Sequence, residues 1–296
     1  MKDIAICAVI VTYNRLELLK YTIENVLNQS RKVDEIIVIN NASTDGTKEF
    51  LSTLREITTI NLSTNIGGAG GFYEGIKYGV EKGYDYIWIM DDDTICTKCA
   101  LEKMEEKIKY ISNESIGFLA SNVLFKDNKP CIMNIPVTKE FWNEHSDKGL
   151  IELEATSFVS VLISKEAICE VGLPIKEFFI WGDDFEYTRR ISKKFKSYFV
   201  CDSIVHHYMN ENKGVDILIT SKERLFRYYY EFRNKYYIQK IQGKKHILRY
   251  YKYLLKTILK ILFTKTDGRF KKLHIVIKGW INGIKFNPNI EYINIE

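Results

Sequence analysis

Up to Met90 the chain alternates between two kinds of hydrophobic pattern. Short continuous apolar runs at residues 4–13, 34–41, 57–63 and 84–90 predict strands. Between them, apolar residues recurring every three or four positions predict helices over 16–29, 47–54 and 71–81. Strands separated by single helices imply βαβ units, and so a mainly parallel, Rossmann-like α/β sheet with helices on both faces. Beyond Lys98 the pattern is mixed. It predicts a helix to about Ile111, strands over 116–125 and 157–164, an irregular stretch near 126–149, a helix opening on Asp183 and Asp184, and a strand over 197–208. From Lys244 to Phe263 the cations fall at 245, 249, 252, 256 and 260 while apolar residues fill much of the rest, the pattern of a basic amphipathic helix. These patterns divide the chain into an α/β region, 1–215, and a helical region, 216–296.

Each early strand ends on polar residues. Thr12, Tyr13, Asn14 and Arg15 follow the first, and Asn40, Asn41, Ser43 and Asp45 the second. Asn65 with a glycine cluster that includes Gly67 and Gly68 follows the third, and Asp91, Asp92 and Asp93 end the fourth. In open parallel sheets ligands bind beyond the carboxyl ends of the strands, so these clusters predict one site. Three adjacent carboxylates at the edge of a core repel one another and resist ionising together. A divalent cation removes that difficulty, and the alternation of a strand lets Asp91 and Asp93 share it while Asp92 turns elsewhere. An exposed Asp-rich turn is the plainer alternative.

The stretch NIGGAGGF, residues 65–72, suits close backbone approach and an anion at a helix start. It is neither a dinucleotide fingerprint, which would need glycine where Tyr73 stands, nor a P-loop, which would need lysine where Ile76 stands. Of Asp183 and Asp184, one can cap the helix while the other serves as a general base. His206 and His207 end a strand and are candidate ligands. The pair Cys96 and Cys99 has no partner pair and reads as coincidence, and the six scattered cysteines suit a reducing compartment.

Charge sharpens the division of the chain. From residue 222 onward there are 18 Lys/Arg and 5 Asp/Glu, a net +13 within a chain whose net charge is only +5. A basic region of this kind expects an anionic partner, a membrane surface or nucleic acid. The first apolar run is too short to span a bilayer or to serve as a secretion signal.

Taken in order, VIVTYNR, NNASTDGT, NIGGAGGF, WIMDDD, EFFIWGDDFEY and SIVHHY resemble the family 2 glycosyltransferases of GT-A fold, and most closely their galactofuranosyltransferase and rhamnosyltransferase branch. The segment YYYEFRNKYYIQK is similar to an Arg-Asn segment that follows the catalytic domain in that branch. The resemblance covers residues 4 to about 208. It implies that Thr12, Tyr13 and Arg15 surround a nucleotide, that Asp45 reads its base, and that Asn65, Gly67, Gly68 and Asp92 line its site. By the same resemblance Asp91 lies near ribose and metal, Asp93 and His206 bind the metal, with His207 open as the ligand in its place because the histidine is doubled, and Asp184, beside Asp183, is the catalytic base. Trp181, Gly182, Glu186 and His207 would line the donor and acceptor pocket. KKFKS after the Arg189–Arg190 pair, where relatives often carry glycine, departs from the pattern.

The expectation is an inverting enzyme dependent on Mn²⁺ or Mg²⁺, moving galactofuranose from UDP-galactofuranose to a lipid-linked precursor of a bacterial surface polysaccharide, such as a capsule or O-antigen. It would sit at the cytoplasmic face of the membrane through its basic helices, alone or as a homo-oligomer, with no nucleic acid as partner. A dTDP-rhamnose-dependent rhamnosyltransferase is the near alternative. A nucleic-acid-binding protein and a non-catalytic glycan-binding relative are the alternatives of other classes.

Overall fold

In the computed structural model residues 4–111 and 114–293 are described; residues 1–3 and 294–296, the outer ends of the two expected regions, lie outside them. The chain forms two compact units. One contains residues up to 176, 184–213 and 290 onward, and the other 177–183 and 214–289. The second unit therefore includes a short segment from inside the first region, and the chain returns to the first unit at its end.

In the first unit the order is β1 (Ile6–Thr12), α1 (Leu16–Leu27), β2 (Glu35–Asn40), α2 (Thr47–Ser52), β3 (Thr58–Asn61), α3 (Gly67–Glu81), β4 (Tyr86–Asp91), β5 (Thr94–Cys96) and α4 (Ala100–Tyr110). There follow β6 (Ile116–Phe125), β7 (Val137–Thr138), β8 (Leu150–Ala155), β9 (Val161–Ser164), α5 (Lys165–Val171), α6 (Asp183–Ser192) and β10 (Lys196–His207). The sheet order is β3-β2-β1-β4-β9-β6-β10-β8-β7, with β5 on the end of β10. The first four strands are parallel; β9 enters antiparallel between β4 and β6, and β10 runs parallel to β6. The sheet is mixed around a parallel core.

Alternation along β1 explains the two-sided burial. Ile6, Ala8 and Ile10 face one core layer with Leu19 and Ile23 of α1 and Met104 of α4. Cys7, Val9 and Val11 face the other, with Phe72 and Ile76 of α3 and Tyr187 and Ile191 of α6. Every residue of β1 is buried, which is why its sequence is a continuous apolar run.

Helix α3 starts four residues earlier than its periodicity predicts, because most of the glycine cluster is itself helical. A Cβ on Gly71, Gly75 or Gly79 would stand within 2.8 Å of side chains of β1 or β4. Those glycines, spaced one helical turn apart, let α3 lie directly on the sheet. A Cβ on Gly70 would meet Ile66 just before the helix instead, while Gly67 adopts φ +77° and Gly68 has nothing within 4 Å of its Cβ position.

The second unit holds α7 (Arg227–Gln242), α8 (Lys244–Phe263) and α9 (Arg269–Lys285). Gly279 and Gly283 of α9 lie against the backbone of α7 around Tyr229 and Arg233, closer than any larger residue permits. Tyr250 and Leu254 of α8 and Val276 of α9 share a small core with Phe232 of α7. No helix among the described residues is long and apolar enough to cross a membrane.

Candidate active site

The site begins where β4 leaves the sheet. The chain turns after Asp91 into β5, which pairs antiparallel with the end of β10, setting Thr94 beside His207 and Ile95 beside His206. Tyr208 donates its backbone N–H to the Asp93 carbonyl at 2.9 Å. The triplet and the double histidine are thereby brought together.

Ligand atoms of Asp91, Asp93 and His207 all lie within 4.8 Å of one another. Of the two histidines it is His207 that joins the cluster; His206 does not, and its Nε2 stands 2.8 Å from Asn128 Oδ1 at the surface. Neighbours on a strand point to opposite faces, so one of the two histidines had to be turned away. His207 is the one turned inward: it is buried, and its Nε2 stands 3.1 Å from Asp93 Oδ1.

The tautomer of His207 follows from its other nitrogen. Nδ1 lies 2.8 Å from the amide oxygen of Asn134, which only accepts, so Nδ1 carries hydrogen. The Asn134 amide is itself oriented by its NH₂ group, which donates to Ser157 Oγ at 2.8 Å, and by the Cys131 thiol, which donates to its oxygen at 2.9 Å. With Nδ1 so engaged, Nε2 is the atom that meets Asp93. Asn134 and Cys131 come from the stretch that reads as irregular, and no pattern in the sequence singles them out; only the fold brings them beneath His207.

The triplet's three carboxylates have different surroundings. Asp92 is a tie: it accepts from Thr12 Oγ1 at 2.8 Å and from the Tyr13 N–H at 3.3 Å, while its carbonyl accepts from Thr22 Oγ1 at 2.7 Å. It fastens the loop after β1 to the end of β4. Burial pushes its carboxyl up to about 6, with Arg15 acting in the opposite direction. Burial, reinforced by the charge of Asp93, raises Asp91 to about 7. Burial works the same way on Asp93, but His207 and Arg15 outweigh it and hold that carboxyl down to about 2. On His207 burial works downward, and Asp93 more than reverses it, raising the imidazole to about 10. Arg15 donates to Asp93 Oδ2, while Asp93 Oδ1 receives no hydrogen bond of acceptable geometry. A buried carboxylate oxygen 3.1 Å from an imidazole nitrogen and close to a second carboxylate is a donor set suited to a divalent cation with some nitrogen affinity.

The other expected nucleotide contacts stand on the same edge. Asp45, exposed, accepts from the Leu16 N–H at 3.0 Å and from Thr47 Oγ1 at 2.5 Å, joining the loops after β1 and β2. Asn65 Oδ1 accepts from the Gly67 N–H at 2.8 Å, and Asn41 brackets the same turn through the Ile66 N–H and the Gly67 carbonyl. Asn41 thus organises the glycine turn from the neighbouring loop.

Helix α6 brings Asp184 to this edge. Ile191, near the end of α6, would meet a Cβ on Gly117 at the start of β6, so α6 runs against the parallel strands and begins at their carboxyl side. Thr188 fixes its first turns, donating to the carbonyls of Thr156 and Asp184 and accepting from the Thr156 N–H. Asp184 Oδ1 also accepts from the Phe185 N–H at 2.8 Å. Glu186, expected in the pocket, is buried and paired with Arg190, whose guanidinium donates to the carbonyls of Val171 and Leu173 at the end of α5 and in the loop after it.

Trp181, Gly182 and Asp183 belong to the second unit. Phe179, Trp181 and Gly182 adopt φ of +64°, +65° and +90°, a costly conformation for two bulky aromatics. Asn234 of α7 holds the turn, its NH₂ group standing 3.0, 3.1 and 2.9 Å from the carbonyls of Phe178, Ile180 and Trp181. Phe179 stacks on Tyr230 at 4.7 Å, and Trp181 packs edge-on against Tyr228. Arg233 donates to the Phe178 carbonyl at 3.3 Å, so the Arg-Asn pair of α7 holds the stretch that leads into Trp181 and Gly182.

Residues 7–124 match the family model described as Glycosyl transferase family 2. The chain is 28% identical over 198 residues to the galactofuranosyltransferase GlfT1 of Mycolicibacterium smegmatis, covering 63% of this chain and 65%, just under two thirds, of that protein. It is 23% identical over 267 residues to GlfT1 of Mycobacterium tuberculosis, covering 82% and 85%. A poly-beta-1,6-N-acetyl-D-glucosamine synthase of Staphylococcus aureus is 30% identical over 168 residues, covering 54% of this chain and 39% of that one. Among solved structures, S. aureus TarS superposes with a TM-score of 0.57 at 12% identity, over 96% of this chain and 44% of that one. GalNAc-T7 with UDP, GalNAc and Mn²⁺ superposes with a TM-score of 0.57 at 16% identity, over 79% and 50%. These two likenesses bear on the fold.

Proposed function

From the premise that this chain is a family 2 glycosyltransferase of the GT-A fold, we propose that it transfers galactofuranose from UDP-galactofuranose, with inversion, to a lipid-linked precursor of a bacterial surface polysaccharide at the cytoplasmic face of the membrane. The observation that carries the reading is the cluster of half-buried Asp91 with buried Asp93 and His207 at the carboxyl edge of the sheet, in a chain similar to galactofuranosyltransferases over most of its length.

Asp91, Asp93 and His207 are the residues that would hold Mn²⁺ or Mg²⁺, and imidazole favours the former. Bound there, the ion would offset the negative charge that builds on a departing diphosphate. The other roles fall to the chain itself. Asn65 and the N–H groups of the glycine turn bind the nucleotide, and Asp45 accepts from the base. Arg15, already paired with Asp93, adds positive charge on the same side. Asp184 takes the proton of the acceptor hydroxyl as that oxygen attacks the anomeric carbon from the face opposite the leaving group. Asn234 holds the turn that carries Trp181 and Gly182. A rhamnosyltransferase using dTDP-rhamnose shares all these roles and differs only in the sugar pocket.

The test is the release of nucleoside diphosphate from UDP-galactofuranose, UDP-galactopyranose and dTDP-rhamnose in the presence of a lipid-linked acceptor, with and without Mn²⁺. Turnover only with UDP-galactofuranose and metal is expected. Preference for dTDP-rhamnose would replace the donor, and full turnover in chelator would remove the metal from the scheme.

A further inference from the structure

Helix α8 carries two apolar faces, and the fold uses only one of them. Tyr250, Leu254 and Ile261 point into the core shared with α7 and α9. Leu248, Leu255, Leu259 and Leu262 are exposed, Leu255 at 58%. At about 100° per residue these four fall on a single stripe well over a quarter-turn round from the buried face. Lys245, Lys252 and Lys256 run along one flank of it.

Helix α9 repeats the arrangement. Its inward face is Val276, Gly279 and Gly283, seated on α7. Its outer face carries Phe270, 84% exposed, with Ile277, Ile281 and Ile284. These also fall on one stripe, flanked by Lys271, Lys278 and Lys285. Neither helix contains an acidic residue.

The two stripes stand side by side. Tyr251 meets Trp280 edge-on at 6.2 Å, which pairs α8 and α9 antiparallel across the short turn after Phe263. The exposed stripe lies about 50° round from this contact on α8 and about 70° on α9, in the same sense, and for antiparallel helices that puts both stripes on one side of the pair. Two lines of large apolar side chains, each edged by lysines, far exceed the scattered exposed apolar residues of an ordinary surface.

We infer that this side of the α8–α9 hairpin is a lipid-docking surface, on which both helices lie in the plane of an anionic membrane with their apolar stripes at the acyl boundary and their lysines among the phosphates. The charge selects the occupant. An acidic lipid surface complements two acid-free helices, whereas a second copy of the hairpin would oppose lysine to lysine. The inference deepens the proposed use of a lipid-linked acceptor and rests on that reading for its purpose, while the binding itself can be measured without any sugar.

The test uses the full chain and flotation with vesicles of phosphatidylglycerol and phosphatidylcholine, beside vesicles of phosphatidylcholine alone. Binding to the anionic vesicles and little to the neutral ones is expected. Leu255→Gln with Phe270→Gln should weaken vesicle binding at least about tenfold, at an unchanged melting temperature because both sites are exposed. Lys252→Ala and Lys256→Ala should each weaken it roughly fivefold. No binding to anionic vesicles, or equal binding by the Gln variant, overturns the inference. So does a concentration-dependent dimer that the Gln variant abolishes, which would mean that a second copy covers the stripes. Vesicle binding with no transfer from any donor supports the docking surface and counts against the proposed reaction alone.

Discussion

The two units break the usual partition of a folded chain in opposite directions. In the first, ionisable groups are taken out of water: Asp92, Asp93 and His207 are buried at the edge of an apolar sheet, with Asp91 beside them. In the second, large apolar groups are left in it, along the outer stripes of α8 and α9. Each departure costs free energy in the isolated chain, and in the proposed reading each would be offset by a complementary partner, a cation in one case and lipid in the other. A region's function is thus read from what it fails to satisfy internally.

The sharpest attempt to break the first half of the comparison is Asp93→Asn. If the buried carboxylates hold a cation, turnover should fall by about 10³-fold or more, the several kcal/mol that such an ion supplies. The loss should not be restored by raising the donor concentration. Asp184→Asn should cost about 10²-fold or more in kcat with little change in donor affinity, as expected for a general base. Transfer at the unaltered rate would withdraw that role from Asp184.

The same comparison can be sharpened without catalysis. Mn²⁺ at about a hundred times its dissociation constant should raise the stability of the first unit by about 2.7 kcal/mol, seen as a shift in thermal unfolding that chelator reverses. Asn134→Ala should weaken Mn²⁺ binding about 10–100-fold by titration, since the His207 tautomer loses its support. His206→Ala should leave Mn²⁺ affinity where it was. If instead His206→Ala lost the metal and Asn134→Ala kept it, the arrangement around His207 would be irrelevant to binding.

In the second unit the contrast lies between neighbours. Leu254→Ala removes a buried side chain from the small helical core and should cost about 2–5 kcal/mol. Leu255→Ala, one residue on, should fall within about 0.5 kcal/mol in denaturant unfolding. Equal costs at the two positions would mean that the outer stripe of α8 is covered in the folded protein.

Much of the fold was legible because periodicity reports burial. The runs over 4–13 and 84–90 are continuous because β1 and β4 are covered on both faces. The polar residues that end each strand marked the carboxyl edge for the same reason, since a strand leaving the core changes composition where it meets water. The late strands were harder. That β9 enters antiparallel between β4 and β6 depends on a return of the chain that no local pattern encodes. The glycine cluster was read chiefly for anion binding, yet Gly71, Gly75 and Gly79 are small because α3 lies on β1 and β4, a contact between elements rather than a property of the stretch.

The sequence by itself determined which chemistry was available: three consecutive carboxylates at a strand end, an acidic pair at a helix start, two adjacent histidines, and a basic amphipathic end. The tertiary structure alone decided how these were allotted. The register of β5 on β10 turned His207 inward and His206 outward, and the path of residues 126–149 brought Asn134 under the imidazole. The packing of α7 against α8 and α9 fixed which leucines are core and which are left to a partner. The physical reason is the same throughout: composition and spacing set what a side chain can do, but its facing is fixed by contacts between residues far apart in the chain.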